Sequence, residues 1–475
     1  MRYEPHSYQS RATRWVMDHP RCGLFLDMGL GKSVITLTAI RDLIDDCDVS
    51  KVLVIAPKKV AESTWSTEAD KWDHLRGLRV VKVMGNANAR KKALKADADI
   101  YVMGRDSVVW LLDTVKDKLP FDMLVLDELT SFKSYSAMRF KAIKRWTAGV
   151  SRVVGLTGTP VPNSMMDLWA EMYCIDAGAR LGKMIGKYRS DFFTTIPMGG
   201  YAAKYVIKSG CSGAILSSIS DICLTMQASD YLQLPELTEV DDRIDLPTSV
   251  KERYDLFEEQ QVAQVIDTIS GQSRTVIANS AAGLMSKLSQ YADGAVYDSD
   301  DHSRWTEIHQ EKLDRLSELV EQAQSPVLVF YQFRYDIQRV SEALKGYNVR
   351  AYSNVDDLND WNAGKIDVLL AHPAATAYGL NMQQGGHYIV WLGTGWNLEY
   401  YLQANARLHR QGQRHPVTVY RIICKDTIDE LAAAAINRKD STQMGAIVMM
   451  KELIRKHGYN DLIDIEDETE SKQND

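Results

Sequence analysis

The sequence predicts an α/β protein of two lobes, each a parallel sheet with helices on both faces. A mainly helical insert separates the lobes and a C-terminal helical brace closes the chain. Three observations predict this. Apolar strand-like runs alternate with helical patterns from Gly23 to Thr157, a second such series starts at Val327, and the stretch between them is largely helical in pattern. Strand–helix alternation implies parallel strands, because a parallel crossover needs a helix-length connection.

The first series of strands is expected at Gly23–Leu26, Val52–Ala56, Arg79–Val83, Ile100–Met103, Met123–Leu126 and Arg152–Leu156. The second is expected at Val327–Tyr331, Val349–Tyr352, Asp367–Ala371, Tyr388–Trp391 and Val417–Ile423. Between them, Ser249–Ile269 and Glu307–Gln324 carry helical periodicity, while Gly199-Gly200, Ser209–Gly213 and Leu234-Pro235 punctuate the stretch. After Ile423 the pattern turns helical again, through Thr427–Arg438 and Ser441–Lys456. The expected division is 1–162, 163–325, 326–425 and 426–475, the last ending in an acidic tail, Asp464 to Glu470.

Composition excludes several classes. The chain is 45% apolar, 25% charged and 9% aromatic, ordinary for a globular protein. No apolar run approaches the roughly 18 residues a membrane span needs, and Met1 to Trp15 lacks an apolar signal core. The six cysteines are scattered without a C-x-x-C pair, so neither zinc nor a disulfide framework is implied, and a cytoplasmic location is expected. The net charge is −7, but its distribution is uneven. No acidic residue lies between Glu128 and Asp167, where Lys133, Arg139, Lys141, Lys144, Arg145 and Arg152 fall. From Lys58 to Lys95 ten basic residues face four acidic ones. These stretches read equally as solvated faces or as a nucleic-acid footprint.

The stretch that organises the chain is Asp27-Met28-Gly29-Leu30-Gly31-Lys32-Ser33, between an apolar run and the amphipathic run Val34–Ile40. Strand, glycine turn and helix in that order make a P-loop. Gly29 and Gly31 let backbone N–H groups curl inward onto phosphate oxygens at the positive end of the following helix. Lys32 is placed to reach the β- and γ-phosphates and the Ser33 hydroxyl to ligate Mg²⁺. Leu26 stands where the full pattern has glycine, and by itself the segment also reads as a chance glycine-rich turn. A second apolar strand ends in Asp127-Glu128-Leu129-Thr130. An aspartate there suits the Mg²⁺ ligand, and Glu128 suits the group that orients and deprotonates water, although acid pairs also cap helices. Leu156-Thr157-Gly158-Thr159-Pro160 ends another strand with small hydroxyl residues. In Gln403–Gln413, Arg407 and Arg410 are three apart, a spacing that shares one face of a helix. Paired guanidinium groups can stabilise charge developing on a γ-phosphate, or form an ordinary surface pair.

Together these residues resemble the Swi/Snf-type branch of the superfamily two helicases, from Tyr8 to about Lys439. Tyr8-Gln9 matches the adenine-reading glutamine, and Asp27–Ser33 the D-E-M-G-L-G-K-[TS] loop. Ala56-Pro57-Lys58-Lys59, with Trp65 and Trp72, matches the strand-tracking segment and its W-x-x-E-x-x-x-W. Asp127–Thr130 stands for D-E-A-H, Leu156–Asn163 for L-T-G-T-P-L-Q-N, Val327–Gln332 for the first motif of the second lobe, and Gln403–Gln413 for Q-A-x-x-R-x-x-R-x-G-Q. The long insert after Pro160 is similar to that of this branch. Leu129-Thr130 replaces Ala-His, Gly104-Arg105-Asp106 replaces a threonine-bearing contact, and Ala374–Asn381 replaces a glycine-richer loop that keeps Gly379 and Asn381.

The resemblance implies two RecA-like lobes and a nucleic-acid-stimulated ATPase that translocates on DNA, duplex being favoured; a strand-separating DNA or RNA helicase is the alternative. It implies ATP with Gln9 on adenine, Gly29, Leu30, Gly31 and Lys32 on phosphates, and Ser33 and Asp127 on Mg²⁺. Glu128 activates water, with Arg407 and Arg410 from the second lobe. Lys58, Lys59 and Arg105, with Thr376 and Gly379 in the second lobe, are the expected nucleic-acid contacts. No bromodomain- or chromodomain-sized extension is present, so the expectation is a compact bacterial or bacteriophage enzyme with no membrane partner.

Overall fold

The computed structural model describes residues 1–459 apart from 117–118, 159–164, 198–202, 232–233, 270–273, 299–300, 302, 377–379 and 439–441. The acidic tail, the Thr159–Asn163 part of the Leu156–Asn163 motif and Gly379 therefore lie outside the described residues. The chain divides into two compact units, Met1–Gln233 and Leu234–Asp475.

In the first unit the strands are β1 Arg21–Leu26, β2 Val52–Ala56, β3 Val80–Lys82, β4 Ile100–Gly104, β5 Met123–Asp127 and β6 Arg152–Thr157. An antiparallel hairpin follows, β7 Phe193–Pro197 with β8 Ala203–Ile207, and then β9 Cys223–Met226. Seven strands form one sheet in the order β3-β4-β2-β5-β6-β1-β9, and every pairing is parallel. The central strands are apolar throughout because helices cover both faces: all five residues of β2 and of β4 are buried. Parallel strands all end on the same edge. The turns after β1, β2, β4, β5 and β6 therefore collect along one side of the unit, which is where ligands bind in open α/β sheets.

The second unit holds β10 Leu237–Ile244, the short hairpin β11 Ala295–Tyr297 with β12 Trp305–Glu307, and then β13 Val327–Phe330, β14 Val349–Ala351, β15 Val368–Ala371, β16 Tyr388–Trp391 and β17 Val417–Cys424. Its six-stranded sheet, β10-β17-β16-β13-β15-β14, is also wholly parallel. A helical layer, Thr248–Ile269, Arg274–Asp293, Ile428–Asn437 and Thr442–Lys456, shares an apolar core built on Tyr254, Leu284, Leu288, Ile428 and Leu453.

All eleven expected strands form, with ends displaced by no more than two residues. Six further strands come from the stretch expected to be mainly helical: four make the two hairpins, and β9 and β10 each extend a sheet at its edge. β9 pairs with β1, while β10 pairs with β17 from Leu237↔Val417 to Ile244↔Cys424. β10 is hard to recognise because an edge strand with one wet side tolerates charge. Its Asp241 and Asp242 are bonded by Arg421 and Arg315, respectively.

Candidate active site

The phosphate loop owes its shape to two left-handed residues, Gly29 at φ 87° and Gly31 at φ 81°. Gly31 is also the residue before the helix Lys32–Asp45, so the turn hands its N–H groups directly to a helix start. Packing closes the same position: a Cβ on Gly31 would stand 2.8 Å from Gln9 Nε2. The Leu30 side chain is fully buried, so this residue serves through its backbone. Lys32 Nζ donates to the carbonyls of Leu26 at 2.8 Å and Asp27 at 3.3 Å, folding the side chain back across the loop. Ser33 is the second residue of the helix.

Gln9 is 5% exposed and belongs to the helix Ser7–Asp18. Its Oε1 accepts from the His6 N–H at 2.9 Å, and its Nε2 donates to the Leu30 carbonyl at 3.5 Å. The glutamine expected on adenine thus already braces the phosphate loop. Asp27 holds the loop from the other side: its Oδ2 accepts from the Ala228 N–H at 2.9 Å, and its own N–H donates to Met226 at the end of β9.

Asp127 ends β5, two strands from β1, and β6 lies between them. Its side chain is half-buried, and the partial loss of water pushes its pKa above the usual carboxylate range. A hydrogen bond from Trp65 and the Lys32 charge oppose that rise. The Trp65 indole Nε1 donates to Asp127 Oδ2 at 2.9 Å. Glu128 adopts φ 58°, ψ 66°, a left-handed conformation that costs a non-glycine residue about 1–2 kcal/mol. Strain of this kind collects at functional sites. Thr130 Oγ1 donates to Glu128 Oε1 at 3.3 Å, so the threonine in place of the family's histidine is bonded to the acid itself. Between the two turns, Gly158 closes on the loop: a Cβ there would lie 3.2 Å from the Met28 side chain and 3.5 Å from Lys32 Nζ. The fold thus places lysine, half-buried aspartate, glutamate and glycine turn on one edge of one sheet. The oxygen donors Ser33 and Asp127 are the hard ligands that Mg²⁺ takes, and a half-buried carboxylate with its pKa pushed up is one that a cation would relieve.

Lys58 and Lys59 follow β2, and Arg105 follows β4, on the same edge. Lys58 is 71% exposed at its side chain and lies 4.0 Å from Glu62. The two turns abut, since a Cβ on Gly104 would stand 3.7 Å from the Lys58 Cα. Arg105 Nη1 donates to Ser131 Oγ, in the turn that follows Glu128.

In the second unit the helix carrying Gln403 stops at Asn405. Arg407 and Arg410 are therefore in the turns beyond it, not on one helical face as their spacing suggests. They converge nevertheless: Arg407 Nη1 and Arg410 Nη1 donate to the same Leu380 carbonyl, at 3.4 Å and 3.2 Å. Arg407 Nε also closes the helix end by donating to Gln403 O at 2.8 Å. Gln413 fastens the far end, its Nε2 donating to Gln383 and Gly386 carbonyls. Thr376 was expected to contact nucleic acid. Its side chain is fully buried and its hydroxyl donates to Pro373 O at 3.1 Å.

The residue that sequence reasoning left out of the site is Trp65. It was legible as part of W-x-x-E-x-x-x-W, but nothing in that spacing says that the indole reaches a carboxylate 62 positions away. Arg105–Ser131 and Asp27–Ala228 are likewise tertiary facts.

The family model for the SNF2-related domain matches residues 8–285. The chain is 36% identical over 466 residues to protein p41 of Acyrthosiphon pisum secondary endosymbiont phage 1, covering 94% of this chain and 99% of that one. It is 24% identical to an uncharacterized ATP-dependent helicase of Mycoplasma genitalium over 96% of this chain, but spans only 43% of that protein. Among solved structures it is similar to the Sulfolobus solfataricus SWI2/SNF2 ATPase core in complex with dsDNA, at 20% identity and a TM-score of 0.46, covering 95% of this chain and 97% of that one. The chain belongs to the SNF2-related family of helicase-type ATPases.

Proposed function

We propose that the chain is a motor that hydrolyses ATP to translocate on duplex DNA, with little or no strand separation. The observation that carries this reading is the shared edge of the first sheet. Asp127 and Glu128 lie beside the basic turns Lys58-Lys59 and Arg105, on strands that are neighbours in the order β4-β2-β5, and the phosphate loop follows β1, two strands from β5 on the same edge. A change at the γ-phosphate and a grip on a nucleic-acid backbone can therefore be mechanically joined. Gln9 and the loop from Gly29 to Lys32 take the nucleotide, Ser33 and Asp127 hold Mg²⁺, and Glu128 takes the proton of the attacking water. Bound there, the cation neutralises phosphate charge. Arg407 and Arg410 supply guanidinium charge to the transferring phosphoryl group, which requires them to leave the Leu380 carbonyl during the cycle. The grip is on phosphates, so binding is salt-dependent and largely indifferent to sequence. Walking along one strand separates no base pairs unless a wedge stands at the fork. The work is done in the cytoplasm of a bacterial or phage-infected cell.

The test is ATP turnover with duplex, single-stranded and forked DNA and RNA, together with displacement of a third strand. Duplex is expected to be the best activator, and a bound third strand is expected to be displaced. Efficient unwinding of a forked duplex, with single strands the better activator, would refute this and leave the helicase reading. Glu128→Gln is expected to bind nucleotide as the parent does and to turn over at least about a hundredfold more slowly, the scale of a lost general base. Parental turnover in that variant removes Glu128 from the role.

A further inference from the structure

Trp65 stands between two parts of the first unit that the proposed motor has to join. Its side chain is fully buried, and its one polar atom is spent on Asp127 Oδ2 at 2.9 Å. The backbone that carries it comes straight from the basic turn. β2 ends at Ala56, Pro57-Lys58-Lys59 follow, and residues Val60–Thr64 form a π-helical turn that passes into the helix Trp65–Lys71. The Ala61 N–H donates to the Pro57 carbonyl, tying the start of that turn to the lysines. A π-turn inside a helical run widens the coil by one residue and is found mostly at functional positions, because it can tighten or loosen by a small change in its hydrogen bonds. Such a change moves the first residue of the following helix, which here is Trp65.

We propose that Trp65 is a positioning residue that transmits occupancy of the Lys58-Lys59 turn to the Asp127 carboxylate through its indole N–H. This rests on the reading of Asp127 as the Mg²⁺ ligand and of the lysine turn as a backbone grip. The indole is rigid, with two rotatable bonds, and buried on all sides, so displacement of the π-turn reaches the carboxylate instead of being absorbed by solvent. A phosphate drawn onto Lys58 and Lys59 shifts the turn, the indole follows, and Asp127 is oriented for the cation. Nucleic-acid stimulation of turnover then has a physical route that does not pass through the nucleotide.

The test uses the full chain with Trp65→Phe, which keeps an apolar ring and loses the donor. Trp65→His is its counterpart, since a ring N–H stands at the equivalent position of the five-membered ring. Three quantities are read: the Mg²⁺ midpoint for binding a fluorescent ADP analogue without nucleic acid, the ratio of turnover with and without duplex, and duplex affinity. For Trp65→Phe the Mg²⁺ midpoint is expected to rise about tenfold, the scale of a lost hydrogen bond to a charged group. The stimulation ratio is expected to fall severalfold while duplex affinity stays at the parental value, and Trp65→His is expected to recover part of both losses. A parental Mg²⁺ midpoint and stimulation ratio in Trp65→Phe overturns the proposal, as do equal losses in both variants, which would mean that only packing matters. If no nucleic acid stimulates the parent, the motor reading fails, and the Mg²⁺ titration still decides whether Trp65 positions Asp127. Should both variants fail to fold, 5-fluorotryptophan placed at position 65 alone gives a ¹⁹F signal in the otherwise native protein. That signal is expected to shift when Mg²⁺ is added to the ADP complex and again when duplex is added, and an unmoved signal overturns the proposal.

Discussion

His309 gives the second unit a dependence on pH whose size can be worked from the structure. The ring is 7% exposed, and Nε2 lies 3.1 Å from the Tyr291 carbonyl. A carbonyl only accepts, so Nε2 carries the proton and Nδ1 is buried without a partner among the described residues. Burial is the main reason its pKa is lowered to about 4, with the charges of Lys312, Arg339 and Arg253 acting in the same direction. The hydrogen bond to Tyr291 acts against them. A depressed folded-state pKa means that the native protein favours the neutral ring. Its contribution is fully present above the unfolded value of 6.5 and is lost as pH falls toward 4. The 2.5-unit difference between 6.5 and 4 corresponds to about 3 kcal/mol. Carboxylates also titrate in this window, so the informative quantity is the difference from His309→Gln, which keeps a donor for Tyr291 and cannot titrate. Amide hydrogen exchange in the helix Glu311–Ala323, followed at several pH values from 7 to 4, reads the local stability. The parent is expected to lose about 3 kcal/mol more than His309→Gln between pH 6.5 and 4. Parallel curves for the two proteins would show that the ring is charged in the folded state and would refute the reasoning.

Two further outcomes test the site. Arg410→Ala is expected to lose on the order of 10³ in turnover with much less change in nucleotide affinity, and Arg410→Lys to recover little, because an ammonium lacks the planar fork. Normal duplex-stimulated turnover in the alanine variant would remove Arg410 from the reaction. Gly31→Ala is expected to weaken nucleotide binding at least about tenfold, because the φ of 81° costs alanine about 1–2 kcal/mol and its Cβ meets Gln9 Nε2. Gly85→Ala is its control. It has the same backbone strain at φ 87°, but its Cβ would meet only the Ala89 Cβ at 3.4 Å, so nucleotide binding is expected to be unchanged in equilibrium titration.

What the sequence determined by itself was the part of the protein set by local pattern. The eleven strands were legible because a strand covered on both faces reads as an unbroken apolar run, as in Val52–Ala56. The phosphate loop was legible because its conformation is written into Gly29 and Gly31. Charge could not be sorted in the same way. Lys58 is exposed while Lys312 is buried 2.8 Å from Asp429, and nothing local distinguishes them. Edge strands escaped for a related reason: β10 has one wet side, and its carboxylates are satisfied by Arg315 and Arg421, distant in the chain. Spacing also misread the arginine pair, since the helix ends at Asn405 and the two guanidinium groups meet at Leu380 by way of turns. Only the tertiary structure decided that Thr376 is buried, that Gln9 braces the phosphate loop and that Trp65 holds Asp127. A hydrogen bond between residues far apart in the chain depends on how two strands are ordered in a sheet. That order is chosen by packing over the whole unit, and no local segment records it.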